Sequence, residues 1–208
     1  MTRALVIDSS SRTLGSVTRT LTQKFSAGFS QKYGEESVVY RDLVKSSVPH
    51  LSADTIEGFF SLQPTYRAKR ATVLSDLLVD EFLQADVICI GVAVYNFNIP
   101  SSLKAYIDQI VRIGKTFRKQ GDGQLEGLCQ NKKLIILYSM GGMYQDTEMD
   151  FIKPYFKALA GFIGISDVEF IAIEGTSRTG FKLEEHIEES TMRIETLLDL
   201  GNSEVEHA

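Results

Sequence analysis

Five short apolar runs, rich in β-branched residues, recur along the 208 residues of this chain. The runs cover residues 4–7, 38–40, 87–92, 134–138 and 168–173. Nearly continuous apolar runs of this length are typical of strands that are buried on both faces of a parallel sheet. Between them lie segments whose apolar residues recur every three or four positions, as on one face of a helix. These segments cover residues 16–33, 67–83, 101–113, 151–163 and 183–198.

Strands that alternate with helices predict an α/β fold, with a doubly wound parallel sheet and helices on both faces. Five strands favour the flavodoxin-like strand order 2-1-3-4-5. The length fits one domain, which we predict to cover residues 1–200, with a frayed tail at 201–208. Two long connections, 46–63 and 114–128, are expected to build or cover a site.

Composition excludes several classes of function. The net charge of −5 argues against a nucleic-acid-binding surface, which needs a basic face. No apolar stretch approaches the length of a membrane span. The two cysteines, Cys89 and Cys129, form neither a CxxC motif nor a secretory framework, which favours a reducing, cytoplasmic location. No cluster of histidine, cysteine and aspartate has the spacing of metal ligands, so no metal is expected.

The serine loop, residues 9–18, runs from the first predicted strand into the first predicted helix. Its hydroxyls and backbone N–H groups lie at a helix N-terminus, which favours an anion such as a phosphate monoester. The GxxxxGK[ST] pattern of a P-loop is absent from it. An ordinary N-cap by Ser16, followed by no ligand at all, is the alternative interpretation.

Two further unusual loops follow predicted strands 3 and 4. The aromatic turn, residues 94–101, carries two aromatic residues that can cover an apolar ring and two asparagines that can bond its polar edge. A packed turn with asparagine chosen for its conformation is the alternative. The glycine turn, residues 139–144, contains Gly141 and Gly142, which let the backbone approach a ligand closely. A plain glycine turn is the alternative there.

The three loops are expected to meet at one place. Ligands of open parallel sheets bind beyond the carboxyl ends of the strands, at the point where the strand order switches. The serine loop, the aromatic turn and the glycine turn all follow strand ends at that edge. One shared ligand explains them better than three independent turns.

The motif Tyr95-Asn96-Phe97-Asn98-Ile99-Pro100-Ser101-Ser102-Leu103-Lys104 resembles the signature of the bacterial FMN-dependent NADH-azoreductases, also described as NADH:quinone oxidoreductases. Further matching residues are Asp108, Arg112, Gly114, Thr116, Phe117, Gly127, Leu128, Lys132, Lys133, 161–165 and Asp167. The resemblance covers nearly the whole chain and is strongest between Val94 and Gly175. It implies a flavodoxin-like protein with tightly bound, non-covalent FMN that oxidises NADH or NADPH.

The resemblance also implies the reaction and the site. Quinones and azo compounds would be reduced by two electrons in ping-pong turnover, with the flavin rather than a catalytic side chain carrying the chemistry. The implied FMN contacts are Ser10, Ser16, Val17 and Thr18 at the phosphate and ribityl chain, Val94, Tyr95, Asn96 and Phe97 at the ring, and Ser139, Met140, Gly141 and Gly142 along the pyrimidine side. The family forms homodimers, in which Phe162 would reach over the flavin of the neighbouring subunit.

Candidate residues of the substrate pocket are mostly aromatic, with core packing as the alternative for each. They are Phe59, Phe60, Phe117, Tyr144 and Phe162, together with Lys119. Two positions depart from the family pattern. Met140 stands where the family often has arginine, and Lys119 stands where an aromatic residue often follows the Thr-Phe-Arg element. Because of these two departures, the sequence does not identify the electron acceptor that the protein prefers. It also does not decide between NADH and NADPH as the electron donor.

Two other classes of function fit part of this pattern. A flavodoxin-type FMN electron carrier would bind the flavin without using NADH directly, although such carriers are usually shorter and more acidic. A flavin-free regulatory or scaffold protein can also use this fold, because fold alone does not determine function. The long connections 46–63 and 114–128 are extra material that a small carrier would not need.

Overall fold

The computed structural model describes residues 2–200, with side chains up to Leu198. At its centre is a five-stranded parallel sheet with the order β2-β1-β3-β6-β7. The strands of the sheet are β1 (Ala4–Asp8), β2 (Val38–Asp42), β3 (Val87–Ala93), β6 (Lys133–Ser139) and β7 (Asp167–Ile173). The other two strands, β4 (Phe117–Lys119) and β5 (Leu125–Gly127), form a separate antiparallel hairpin. With that hairpin left out, the predicted 2-1-3-4-5 order and the flavodoxin-like fold are confirmed.

Seven α-helices and one short 3₁₀ helix, Glu35–Ser37, connect the strands in the described residues. The α-helices are α1 (Val17–Tyr33), α2 (Ala53–Phe60), α3 (Tyr66–Ala71), α4 (Val73–Gln84), α5 (Ser101–Ile110), α6 (Ile152–Ile163) and α7 (Leu183–Leu200). Within residues 2–200, none of the helices combines the length and the apolar character needed to cross a membrane.

Strand side chains alternate between two core layers, one on each face of the sheet. In β1, Leu5 and Ile7 pack with residues of α4, α5 and α6, whereas Ala4 and Val6 pack with residues of α1 and α7. This alternation follows from the two-residue period of a strand, and it requires apolar residues at every position of a central strand. The fully buried Cys89 belongs to the second layer, as expected for a small core residue.

The strands of the sheet end at different levels at its carboxyl edge, because β3 extends two residues beyond β1. The strands β1, β3, β6 and β7 begin in register at their first residues. Asp8, the last residue of β1, pairs with Gly91, which lies two residues before the end of β3. The chain that leaves β1 is therefore flanked by the last residues of β3, and the loops after the two strands lie side by side.

Both long connections contain secondary structure that the sequence reading did not predict. The helix α2 lies within 46–63 and begins at Ser52, whose hydroxyl accepts the Thr55 N–H at 3.1 Å. The β4–β5 hairpin lies within 114–128, and its tight turn uses Gly123 at φ +88°. Neither element has the long apolar period on which the helix and strand predictions depended.

Two predicted helices have different bounds in the structure. The segment 67–83 is two helices, α3 and α4, which meet at Thr72. The segment 101–113 is helical only to Ile110, because the Thr116 side chain ends it. Thr116 Oγ1 donates to the Ile110 carbonyl at 2.9 Å and accepts the Arg112 N–H at 2.9 Å, which replaces the next helical turn.

Candidate functional site

The serine loop forms the first wall of the site. Ser9 is anchored below it, because its Oγ donates to the Gly91 carbonyl at 2.7 Å. Gly15 adopts φ +63°, a left-handed conformation that other residues rarely adopt, and turns the chain into α1. Ser16 is the N-cap of α1 and accepts the Arg19 N–H at 3.4 Å. The N–H groups of Val17 and Thr18 precede the first helical hydrogen bonds and are therefore available to a ligand, and the helix dipole favours an anion there.

A buried ionic cluster lies beneath this loop. The Arg19 guanidinium contacts Asp8 at 3.1 Å and Asp42 at 2.7 Å. Asp8, which is fully buried, also accepts hydrogen bonds from the hydroxyls of Thr22 and Tyr40. The Arg19 guanidinium holds the pKa of Asp42 down at about 2. Burial, reinforced by the bond to Asp8, raises the pKa of Tyr40 above its usual value.

The aromatic turn forms the second wall. Tyr95 and Asn98 exchange two backbone hydrogen bonds of 3.0 Å, and the two residues between them, Asn96 and Phe97, adopt φ 49° and 65°. A left-handed conformation costs an L-residue about 1–2 kcal/mol, so neighbouring contacts must hold this turn. The Phe97 ring lies 5.4 Å from the ring of Tyr144, centroid to centroid. Strained backbone at a loop of this kind is typical of ligand-binding sites.

The glycine turn forms the third wall, and its two glycines are required by close packing. A Cβ on Gly141 would lie 2.6 Å from Ser177 Oγ, and a Cβ on Gly142 would lie 2.4 Å from the ring of Tyr144. The Met140 side chain is buried in the core, whereas a side chain that contacts the flavin ring would be exposed in the cleft. Met140 is nevertheless one of the residues that line the cleft described below.

These three walls surround one cleft of about 510 Å³ at the carboxyl edge of the sheet. The sequence-predicted residues that line it are Ser10, Ser16, Val17, Val94, Tyr95, Ser139, Met140 and Gly141. Its volume is in the usual range for a site that holds a small organic ligand. Arg12 and Arg178 also line the cleft, and within the described part of the chain no carboxylate does. The cleft is therefore suited to an anionic ligand.

Four predicted cofactor residues lie next to the cleft and do not line it. Thr18 is buried, with its Oγ1 3.3 Å from Ser16 Oγ. Asn96 borders a neighbouring hollow, Phe97 packs on Tyr144, and Gly142 lies behind the cleft against the same ring. Direct contact of these four residues with a ligand in the cleft therefore stays a prediction.

A fourth wall of the cleft was missed by the sequence reading. It is the loop after β7, which contributes Thr176, Ser177, Arg178, Gly180 and Phe181. This loop is fastened to the glycine turn, because the Thr176 N–H donates to the Met140 carbonyl at 3.2 Å. The signal was available in the sequence, since this loop also follows a predicted strand and is rich in glycine and hydroxyl residues.

The predicted substrate residues divide into two groups. Tyr144 lies beside the cleft, next to Phe97. Phe162 and Phe117 contact each other, with ring centroids 4.7 Å apart, but neither lines the cleft. Phe162 lies near the end of α6, about 15 Å along the helix from its first residue, and therefore toward the opposite edge of the sheet. Phe60 and Lys119 are exposed and do not line the cleft.

Comparison with known proteins agrees with this fold. Residues 2–198 match the model of a family described as having a flavodoxin-like fold. An FMN-dependent NADH:quinone oxidoreductase of Alkalilimnicola ehrlichii is 38% identical over 179 residues, which is 86% of this chain and 89% of the relative. One of the same name from Nostoc punctiforme is 42% identical over 189 residues, covering 86% and 92%. The crystal structure of an azoreductase from Bacillus anthracis superposes with a TM-score of 0.86 at 29% identity, covering 96% of this chain and 100% of that one.

The fold and the cleft thus define a flavodoxin-like protein with a cleft at the switch point of its sheet. Within that class, the chain belongs to the family of the FMN-dependent NADH:quinone oxidoreductases.

Proposed function

We propose that this protein is an FMN-dependent NADH oxidoreductase that reduces quinones, and the azo bonds of aromatic azo compounds, by two electrons. The observation that carries the proposal is the single cleft in which the serine loop, the aromatic turn and the glycine turn meet. Family membership gives that cleft its cofactor, because the relatives are named as FMN-dependent and NADH-dependent. NADPH is a further candidate donor.

The serine loop would hold the FMN phosphate. The hydroxyls of Ser10 and Ser16 and the N–H groups of Val17 and Thr18 offer neutral donors at the positive end of the α1 dipole. The basic side chains Arg12 and Arg178, and the lack of a lining carboxylate within the described residues, fit a phosphate dianion.

The aromatic turn and the glycine turn would hold the isoalloxazine ring. Val94, Tyr95, Asn96 and Phe97 would lie against the ring. The backbone of residues 139–142 would run along its pyrimidine side, where N–H groups can stabilise negative charge. Bound FMN supplies hydride acceptance from NADH and two-electron delivery to an acceptor. The protein residues orient the two reactants over one exposed ring face and exclude water around it.

The substrate pocket would be completed by a second copy of the chain. Phe162 and Phe117 do not line the cleft of their own subunit, and Phe162 is 38% exposed. In a homodimer they would cover the cleft of the partner, with Phe60 and Lys119 at the rim of the pocket. Tyr144 would form the wall from within the same subunit.

We propose residues 1–200 as one domain and a cytoplasmic location. Residues 201–208, the expected tail, lie outside the described residues.

The test is the colour of the purified protein and its response to NADH. A bound flavin makes the protein yellow, and release by heat followed by chromatography identifies FMN. Addition of NADH without oxygen should bleach the flavin absorbance within the time of one catalytic turnover. A colourless protein that does not take up FMN would contradict the proposal. A yellow protein that NADH does not bleach would instead be an electron carrier.

A further inference from the structure

The proposed cofactor contacts do not include the buried cluster of Arg19, Asp8 and Asp42 beneath the serine loop. We propose that Arg19 is a positioning residue for the phosphate of the flavin: it never touches the cofactor, but it fixes the peptide that joins the phosphate site to the ring site. The inference rests on the proposed FMN function and adds a residue to it.

The guanidinium of Arg19 is fully engaged. Its Nε and Nη2 donate to the Ser10 carbonyl at 3.3 and 2.9 Å. Its Nη1 donates to Asp8 and Asp42, at 3.1 and 2.7 Å, and its Nη2 also donates to Asp42, at 3.0 Å. The two carboxylates hold the guanidinium in one plane and one direction, because a bidentate arginine–carboxylate pair has fixed geometry.

The peptide between Ser10 and Ser11 is held from both sides. Its carbonyl accepts the two bonds from Arg19, and its N–H, on Ser11, donates to the Tyr95 hydroxyl at 3.2 Å. In a trans peptide these two groups point in opposite directions, so the two contacts fix the peptide plane. Arg19 thereby sets the serine loop relative to the aromatic turn, on which Tyr95 lies.

The orientation of this peptide matters for an anion. A carbonyl oxygen carries partial negative charge and would repel a phosphate if it turned into the cleft. The carbonyl is bonded to the buried guanidinium instead, while Ser10 itself lines the cleft and its Oγ accepts the Arg12 N–H at 3.3 Å. The arginine charge itself is balanced by the two carboxylates, so its effect on the ligand is geometric rather than a direct attraction.

The three charged residues of this cluster come from three elements. Asp8 lies on β1, Asp42 on β2, and Arg19 on the first turn of α1. Thr22 and Tyr40 donate to Asp8 and contribute no charge of their own in the neutral state. Removing the cationic head would leave two buried carboxylates without compensation, which destabilises a protein strongly. The most useful variant therefore keeps the charge.

The test compares FMN with riboflavin, which lacks the phosphate. Arg19→Lys keeps the positive charge near the carboxylates but cannot also donate two bonds to Ser10. The ratio of the riboflavin Kd to the FMN Kd measures the contribution of the phosphate. We expect this ratio to fall about tenfold in Arg19→Lys. A tenfold change corresponds to the loss of one hydrogen bond between the misplaced serine loop and the charged phosphate. Asp42→Asn, which keeps the side-chain shape and loosens the anchor, should lower the ratio in the same direction.

Arg41→Met is the matched control. Arg41 is an arginine on the neighbouring strand β2 that pairs with Glu81 and does not contact the serine loop. This variant should leave the ratio of the two Kd values unchanged, whatever it does to the melting temperature. A purely structural role for Arg19 would likewise change the melting temperature without changing the ratio.

The outcomes separate this inference from the proposed function. A wild-type protein that binds neither flavin, or binds both equally, overturns the proposed phosphate site and the role of Arg19 with it. A wild type that prefers FMN, with the same preference in Arg19→Lys or, if that variant does not fold, in Asp42→Asn, overturns the role of Arg19 alone. A lower ratio in these variants and an unchanged ratio in Arg41→Met support it.

Discussion

Ser16 is predicted to serve two purposes, as a helix cap and as a ligand contact, and a comparison of two substitutions can separate them. Its Oγ caps α1 by accepting the Arg19 N–H at 3.4 Å, and Ser16 also lines the cleft, where we propose that its hydroxyl donates to the FMN phosphate. Ser16→Ala removes both interactions. Ser52 caps α2 in the same way, with a contact of 3.1 Å, but does not line the cleft. Ser52→Ala is therefore the control for loss of a cap alone.

The two effects differ in size. Removing an N-cap serine costs roughly 0.5–2 kcal/mol. Because the Ser16 contact is near the upper limit of a hydrogen-bond length, we expect about 0.5 kcal/mol for Ser16→Ala and about 1 kcal/mol for Ser52→Ala. Losses of this size lower the melting temperature of a protein this long by roughly 1–4 °C. A hydroxyl donated to a phosphate dianion contributes about 1.5–3 kcal/mol, so the FMN Kd of Ser16→Ala should rise tenfold or more.

The assay has two parts. Thermal unfolding of the flavin-free protein measures the cost of losing each cap, and quenching of flavin fluorescence measures the Kd values for FMN and riboflavin. Ser16→Ala should weaken FMN binding and leave riboflavin binding almost unchanged, whereas Ser52→Ala should change neither. An unchanged FMN Kd in Ser16→Ala would show that Ser16 is only a helix cap, and the phosphate site would have to be placed elsewhere.

Four further substitutions test the fold and the site. Gly127→Ala should destabilise the protein by about 3 kcal/mol or more, because the added Cβ would lie 2.1 Å from the backbone nitrogen of Gly164; Gly161→Ala, whose Cβ meets nothing within 4 Å, should stabilise α6 by about 0.5–1 kcal/mol, and chemical unfolding measures both. Phe162→Ala should raise the KM for quinone while the flavin content per subunit stays the same, and an unchanged KM would remove Phe162 from the pocket. The low pKa of Asp42, about 2, means that its carboxylate stabilises the fold fully above about pH 4 and loses this effect as the pH falls toward 2. Asp42→Asn should therefore flatten the stability curve in that window, and an unchanged acid limb would contradict the strength of the Arg19 pair.

The sheet could be predicted from the sequence because burial on both faces leaves a strong signal. Each central strand needs an apolar residue at every position, and runs such as 87–92 and 134–138 show this directly. The helix α2 and the β4–β5 hairpin lack such a signal. They are short, and local capping by Ser52 and a glycine turn at Gly123 determine them.

The position of the site was also predictable, since three of the loops that line the cleft follow strand ends at one edge of the sheet. The ionic cluster was not. Arg19 lies 11 residues from Asp8 and 23 residues from Asp42, and their pairing depends on how α1, β1 and β2 pack together. A charged residue in the first turn of a helix is usually exposed, so its sequence context gave no indication that it is buried.

The sequence likewise could not show whether Phe162 lines the cleft of its own subunit. The sequence placed Phe162 on an amphipathic helix, and only the structure shows that it contacts Phe117 and does not line the cleft of its own subunit. If Phe162 completes the pocket of a partner subunit, the active protein must be a dimer, whereas a role in packing within its own subunit makes no such demand. Light scattering of the purified protein measures the oligomeric state. A monomer with full activity would contradict the shared pocket.

In the proposed function, one cleft holds an FMN that NADH reduces and a quinone reoxidises. The most direct measurement is a titration without oxygen, in which NADH is added to the yellow protein until the colour is lost, excess nucleotide is removed, and quinone is then added. We expect one NADH to bleach each flavin and one quinone to restore the colour, and the same ping-pong scheme requires parallel double-reciprocal lines in steady state. A flavin that NADH leaves oxidised, or a reduced flavin that quinone leaves bleached, would contradict it.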